Sequence, residues 1–477
     1  MYIKENFYWW MSEDDLLGGN DKCLYSEWIN TTSNGGYIEL LPKPTSVVDT
    51  GSDTTECLLP VTDPITDGTK MLAFTDSGVF RENTVWAVST EAWVTTNFII
   101  WNKLYMVKNN WPASAYTLYE ESTSTAYGSG SWSETLVTTT NPLQTADYDW
   151  YMKGVCVVWD IAYIFLGSQI ARFSPNDWNE VIVYDIFGDD IVWVTRVGWY
   201  LKVYTKSGRL LLWDWNKETI TESVNLNTWL EAVYQQGNIE FVYTGYKWGE
   251  KWLYYIDWYT LTPVVKNTYS NLLNISKFSF QYGSTIKPMA SLSKQLLWYT
   301  EDINDKPRLY KFWKDIEWLP NAISYYGKYS SYWLENIHIR SVNTIWNHVY
   351  YGFFDWVNKW VDKIDTKGWY KLADWEIITN TNTVWYWIFK KTAKYIYFKV
   401  ADVDADRTID VDISFDWWDF TNIGTVNEMP LDWIARLPVQ GDFRDYNVKF
   451  TLKTLITTSR SPKIYYWYAF DFEQHNI

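Results

Sequence analysis

The chain has 477 residues, with 57 acidic side chains against 41 Lys and Arg, and a net charge of −16. That balance is poor for gripping a phosphate backbone, so direct nucleic-acid binding is not expected. The three cysteines, Cys23, Cys57 and Cys156, are too scattered for a zinc pattern or a disulfide framework. No apolar run approaches a membrane-spanning length, and the opening Met-Tyr-Ile-Lys-Glu-Asn lacks the order of a signal peptide. The expectation is a soluble chain made in the cytoplasm.

Residues 1–60 read as an N-terminal docking arm, with turns at Gly18-Gly19 and Gly35-Gly36 and an exit through Leu41-Pro42-Lys43-Pro44. From there, short Val, Ile, Tyr and Phe runs alternate with Gly, Asn, Asp and Trp, and helical periodicity is nearly absent. Phe98–Val107 is one such unit; Tyr200–Thr205 before Lys206-Ser207-Gly208 is another. Strand pairs begin near Ile99, Val157, Val192, Val233, Leu297, Ile345 and Val384. Their steps centre on the roughly 40–50 residues of a four-stranded propeller blade.

The prediction is an all-β chain with a β-propeller of five to seven blades over residues 61–400. A sandwich series and a β-solenoid stay open as alternatives. Residues 113–147, rich in Ser, Thr and Tyr, read as an exposed insertion or a polar hairpin. Residues 401–477, with alternating strands at Tyr446–Thr454 and Lys463–Phe472, suit a C-terminal β-sandwich.

Tryptophan is abundant and oddly placed. There are 34 Trp and only 23 Gly, where glycine is usually about 7% of a chain. Asp-Trp recurs between strand-like runs, where Asp-Gly is the hairpin dipeptide because the turn needs positive φ. The expected glycine-type turn positions are Trp9, Trp10, Trp28, Trp150, Trp178, Trp215, Trp258, Trp356, Trp375, Trp417 and Trp433. A source that reads UGA as glycine, translated with a table that reads it as tryptophan, would produce this pattern. The alternative is a Trp-rich carbohydrate binder with stacking platforms. Trp213, Trp298 and Trp467 lie within strand-like runs and look authentic.

The sharpest local motif is Ser414-Phe415-Asp416-Trp417-Trp418-Asp419-Phe420-Thr421. With glycine at Trp417 and Trp418 it resembles the Asp-box hairpin, Ser-x-Asp-x-Gly-x-x-Thr, in which Ser and Asp tie a tight turn. Ser414, Asp416, Trp418 and Thr421 would be its structural residues. Asp402, Asp404 and Asp406 space carboxylates like the start of a calcium loop. However, Arg407 stands where glycine is expected and no glutamate closes the loop. Alternate aspartates on a strand simply line its solvated face. His338 and His348 have no partner pattern, and Arg172, Arg196 and Arg340 are too scattered for a carboxylate clamp. No cofactor site and no catalytic set is expected.

Two stretches resemble tailed-bacteriophage virion proteins. The opening runs Phe7-Tyr8-Trp9-Trp10-Met11-Ser12, Glu27-Trp28-Ile29-Asn30, then Gly35-Gly36-Tyr37-Ile38 leading to Pro42. It is similar to the N-termini of phage tail propeller proteins, with Trp at their glycine positions and Asn30 in place of Asp. The ending, Ile409–Thr425, Ala435-Arg436-Leu437-Pro438, Asn447–Thr454 and Arg460-Ser461-Pro462-Lys463-Ile464, looks like a terminal β-domain of tail proteins.

The resemblance covers about a quarter of the chain. It implies a non-enzymatic tail-hub, nozzle or fibre-associated component of the virion, in a ring of identical subunits and in contact with other tail proteins. The rival functions are a propeller that binds a host-surface glycan or receptor, and a glycoside hydrolase or sialidase-like enzyme.

Overall fold

The structure is a computed structural model. It describes residues 2–6, 10–11, 22–26, 29–30, 37–40, 45–51, 55–75, 77–84, 86–90, 94–109, 116–130, 132–143, 153–185, 187–236, 239–244, 252–257, 260–266, 289–292, 295–301, 307–313, 322–327, 338–354, 359–365, 373–379, 382–383, 390–416, 419–443, 445–454 and 460–475. It is all-β: one five-residue helix, Thr123–Tyr127, stands among the strands described.

Seven small antiparallel sheets follow one another along the chain. Sheet 1 has three strands, Thr55–Thr62, Thr69–Thr75 and Val79–Arg81. Sheet 2 comprises Val94–Ile100, Lys103–Asn109, Tyr116–Ser122 and Thr135–Leu136; sheet 3 comprises Lys153–Val158, Ile161–Leu166, Gln169–Ser174 and Glu180–Tyr184. Sheet 4 runs through Ile191–Val197, Tyr200–Thr205, Arg209–Asp214 and Thr219–Asn225, and sheet 5 through Leu230–Gln236, Ile239–Thr244, Trp252–Asp257 and Thr260–Lys266. Sheet 6 holds Met289–Leu292, Gln295–Glu301, Pro307–Trp313 and Ala322–Gly327. Sheet 7 holds His338–Ile345, His348–Phe354 and Lys359–Asp365, and its fourth strand is Thr45–Gly51 from the other end of the chain.

Burial falls off toward the outer strand of sheet 4, and the sequence explains why. In sheet 4 the second strand, YLKVYT, is buried at five of six positions, and the outermost strand, TITESVN, has no buried position. An inner strand covered on both faces reads as a nearly continuous apolar run, while a polar outer strand blunts an edge that would otherwise pair with other chains.

Among the described side chains, apolar clusters fill the spaces between several consecutive sheets. Phe98 and Tyr105 of sheet 2 meet Phe173 of sheet 3, and Tyr163 and Phe165 of sheet 3 meet Leu201, Val203 and Trp213 of sheet 4. Val48, Val361 and Tyr350 of sheet 7 meet Leu58, Met71 and Ala73 of sheet 1. The first strands also touch in order, from sheet 2 through sheet 7, and His338–Ile345 then packs on Thr55–Thr62 of sheet 1. Sheet 1 meets sheet 2 through the cluster of Leu72, Phe74, Leu104 and Met106.

Two larger sheets gather both ends of the chain. The six-stranded one orders Ile434–Phe443, Lys390–Ala401, Lys463–His475, Tyr37–Leu40 and Ile29–Asn30, with Tyr2–Asn6 also on Lys463–His475. The seven-stranded one orders Trp10–Met11, Lys22–Ser26, Ala373–Thr379, Asp445–Thr454, Arg407–Phe415 and Thr421–Val426, with Asn382–Thr383 on Asp445–Thr454. Their inner faces meet through Phe398 against Phe450, Phe450 against Tyr468, and Phe443 against Tyr446.

Two expectations from the sequence are revised here and a third is narrowed. The residues read as a separate docking arm supply strands to the sheets of the C-terminal region and to sheet 7, because their unpaired N–H and C=O groups find partners there. The strands Ala373–Thr379, Asn382–Thr383 and Lys390–Ala401, placed up to residue 400 with the central region by the sequence, pair with the C-terminal strands instead. Of the two readings of 113–147, the described part follows the hairpin and not the insertion: Tyr116–Ser122 pairs antiparallel with Thr135–Leu136 as the outer strands of sheet 2, anchored by buried Tyr116, Leu118, Ala126 and Trp132. The strand pair expected from Val384 begins outside the described residues.

Candidate functional site

The polar side chains buried between sheets form pins. Thr195 of sheet 4 bonds Gln235 of sheet 5, and Ser341 and Asn343 of sheet 7 donate to the carbonyls of Thr55 and Leu58 in sheet 1 at 3.4 and 2.7 Å. Asn97 of sheet 2 donates to the Sγ of Cys57 in sheet 1.

Tyrosine–glutamate bonds recur at the same junctions. Tyr184 donates to Glu218 across sheets 3 and 4, and Tyr204 donates to Glu240 across sheets 4 and 5. Tyr350 of sheet 7 donates to Glu82, just beyond sheet 1. A lysine joins two of these pins: Lys202 pairs with Glu240, and Lys363 with Glu82 at 3.1 Å.

Burial pushes the phenols of Tyr163 and Tyr184 up to about 12, and the carboxylates beside Tyr204 and Tyr350 add to burial in raising those two further. These tyrosines therefore stay neutral, and Tyr184, Tyr204 and Tyr350 act as donors. Burial likewise pushes the Cys156 thiol up to about 11, so it is not a ready nucleophile.

Glu121 and Glu134 are one pair of neighbouring acids. Burial raises the Glu121 carboxyl, as an acid catalyst requires, yet its oxygen accepts the Ser133 N–H, and Glu134 accepts the Ser89 hydroxyl. The first ties the 132–134 segment to sheet 2, and the second ties it to Ser89, which bridges Val79 of sheet 1. His348 lies 3.6 Å from Asp365, and burial lowers its pKa. Arg172 pairs with Glu180 at 3.0 Å, and Arg196 covers the Trp159 ring and donates to the Gly198 carbonyl. They form no joint clamp; the Arg340 side chain lies outside the described residues.

The aspartates at 402–406 are engaged individually. Asp402 pairs with Lys463 at 2.9 Å, Asp404 pairs with Arg407, and Asp406 bonds Asp404 through its N–H. Among the described residues no group of three or more candidate ligands could hold a metal. In the Asp-box-like segment, Ser414 is buried and Thr421 opens a strand paired with Ile413. The Asp416 carboxylate accepts the Asp445 N–H at 2.9 Å, so it ties the turn to a neighbouring strand. Trp417 and Trp418 lie outside the described residues.

Of the other expected glycine-type positions, Trp9, Trp28, Trp150, Trp258 and Trp356 also lie outside. Trp178 and Trp433 have the expected positive φ, 57° and 65°. Trp10 and Trp375 do not occupy turns: both are strand residues, paired with Lys22 and Leu452. Trp215 is in a turn without positive φ, half-buried against Tyr163.

Three further Trp in the left-handed region were missed by reading Asp-Trp pairs: Trp101, Trp159 and Trp346. The signal was the residue after them, in Trp101-Asn102, Trp159-Asp160 and Trp346-Asn347, which parallels Gly237-Asn238. Trp159 also makes edge contacts with exposed Trp199 and with Trp215, at 6.0 and 6.1 Å, and with Arg196 forms an aromatic surface at one end of sheets 3 and 4.

No family model and no curated protein matches the chain. Among solved structures it is similar to the computationally designed Ika8 protein, with 11% sequence identity over 66% of this chain and 98% of that one, and a TM-score of 0.38. No helix among the described residues is long and apolar enough to cross a membrane.

Proposed function

We propose that this chain is a non-enzymatic structural protein of a tailed-bacteriophage virion, a tail-hub, nozzle or fibre-associated subunit. In this reading sheets 1–7 are the blades of a seven-bladed β-propeller, and the two larger sheets are a β-sandwich beside it. The observation that carries it is the strand Thr45–Gly51, drawn from the start of the chain to complete sheet 7, with sheet 7 packed in turn on sheet 1. A ring closed by its own first strand leaves only short outer edges and resists opening.

The resemblance of residues 6–42 and 409–464 to tail proteins supports the particle role. Partners are copies of this chain and neighbouring tail subunits. The acidic surface keeps the protein from adhering to passing DNA. Peptide analysis of density-gradient-purified particles from the natural source tests this. The proposal expects the chain in constant ratio to the other tail proteins. Recovery from the soluble lysate alone, with none in particles, contradicts it.

A second reading, glycan binding, is favoured by exposed Trp159, Trp199 and Arg196 beside half-buried Trp215, since aromatic faces stack on sugar rings. It predicts that Trp199→Ala abolishes binding to host-surface polysaccharide without lowering stability.

A further inference from the structure

Twelve non-glycine residues with positive φ are described, and five are tryptophans: Trp101 (φ 53°), Trp159 (57°), Trp178 (57°), Trp346 (54°) and Trp433 (65°). Six of the others are Asn or Asp and one is Glu. Short polar side chains enter this region readily, whereas a bulky one is a true outlier there. No Tyr or Phe is among the twelve, although the chain holds 38 Tyr and 21 Phe. A general tolerance of aromatic residues in turns would have placed tyrosines there as well.

Three of the five share one structural position. Ile100 pairs with Lys103, Val158 with Ile161, and Ile345 with His348, so Trp101, Trp159 and Trp346 each open the two-residue loop between the first and second strands of a sheet. In sheet 4 the same loop, between Val197 and Tyr200, opens with Gly198 at φ 60°. The paired ends Gln236 and Ile239 of sheet 5 are joined in sequence by Gly237-Asn238. Positive φ at the first loop residue alone marks the type II′ hairpin, whose first place belongs to glycine. Tryptophan and glycine therefore alternate at one position that calls for glycine.

Burial does not compensate the strain; the contacts described for these rings are surface ones, Trp159 with Trp199, Trp215 and Arg196, and Trp433 with Lys399. All five side chains are exposed, Trp178 at 92%. A backbone held in the left-handed region is usually repaid by packing around it, and here an apolar ring is turned to water instead. Trp213 is the opposite case: fully buried, it packs on Tyr184 at 4.8 Å and Phe187 at 5.6 Å.

We infer that the protein made in its natural source carries glycine at positions 101, 159, 178, 346 and 433 and tryptophan at 213, the five being UGA codons read by a glycine-charged tRNA. Such a tRNA is then an obligatory partner in making the chain. A cell that reads UGA as stop truncates it, and one that reads UGA as tryptophan builds strained hairpins. The Trp159 aromatic surface is absent from the natural product. This inference stands apart from the virion reading, which keeps its own test.

Peptide mass spectrometry of the chain from its natural source decides the matter. Glycine masses at the five positions and a tryptophan mass at 213 are expected; tryptophan masses at the five overturn the inference. A recombinant comparison is independent of the source. The chain carrying Trp101→Gly, Trp159→Gly, Trp178→Gly, Trp346→Gly and Trp433→Gly together should melt at a higher temperature than the chain as written, while Trp213→Gly should melt lower. A fall in melting temperature on making the five substitutions overturns it.

Discussion

A single tryptophan can be worth stability of either sign in this chain, and its backbone angle and burial decide which. Trp178 sits at φ 57° with its ring in water. The left-handed region costs a non-glycine residue about 1–2 kcal/mol, so Trp178→Gly should raise unfolding free energy by about 1 kcal/mol in urea titrations. A loss of stability would contradict the account. Trp213, at the centre of the cluster between sheets 3 and 4, should lose about 3–5 kcal/mol on truncation to Ala.

The buried tyrosines give a pH signature. Their folded pKa values lie above the unfolded value near 10, so below pH 10 both states are protonated and nothing is lost. As pH rises further the unfolded chain ionises first and gains relative stability. Tyr163 and Tyr184, raised to about 12, should each cost about 1 kcal/mol by about pH 11. Urea midpoints that stay flat between about pH 8 and about pH 11 would contradict their neutral burial.

At the scale of elements, the strands were largely legible in the sequence and their partners were not. Runs such as Ile161–Leu166 and Arg209–Asp214 declare themselves by β-branched and aromatic content. Thr45–Gly51 looks like any short strand, and nothing local says that it pairs with residues more than three hundred positions away. The inter-sheet pins were equally hidden, because Lys202 and Glu240 look like ordinary surface charges until the fold buries both. The left-handed Trp were half legible: the composition gave the anomaly, and the backbone supplied the positions.

Two outcomes follow at this scale. Glu240→Ala leaves the buried Lys202 ammonium and the Tyr204 hydroxyl without their acceptor, and should cost about 3–5 kcal/mol, read as a shift in denaturation midpoint. Removal of residues 1–51 strips the edge of Lys359–Asp365 and uncovers Val361. The truncated chain should aggregate or dimerise through that edge, and a monomer with unchanged melting in size-exclusion and calorimetric runs would show that the strand is dispensable.

For the whole molecule, the polar pins between sheets and the pairing of Thr45–Gly51 with Lys359–Asp365 favour a rigid body over a set of moving parts among the described residues. The chain's two ends meet in the same pair of larger sheets. In the proposed virion role, such a body would carry load between neighbouring tail subunits. The most direct measurement is electron cryomicroscopy of the tail of particles purified from the natural source. The account predicts copies of a seven-lobed disc with a two-sheet domain beside it, arranged in a ring and fitting this chain's strands. A tail fully built from other proteins, with no density for this chain, would contradict it.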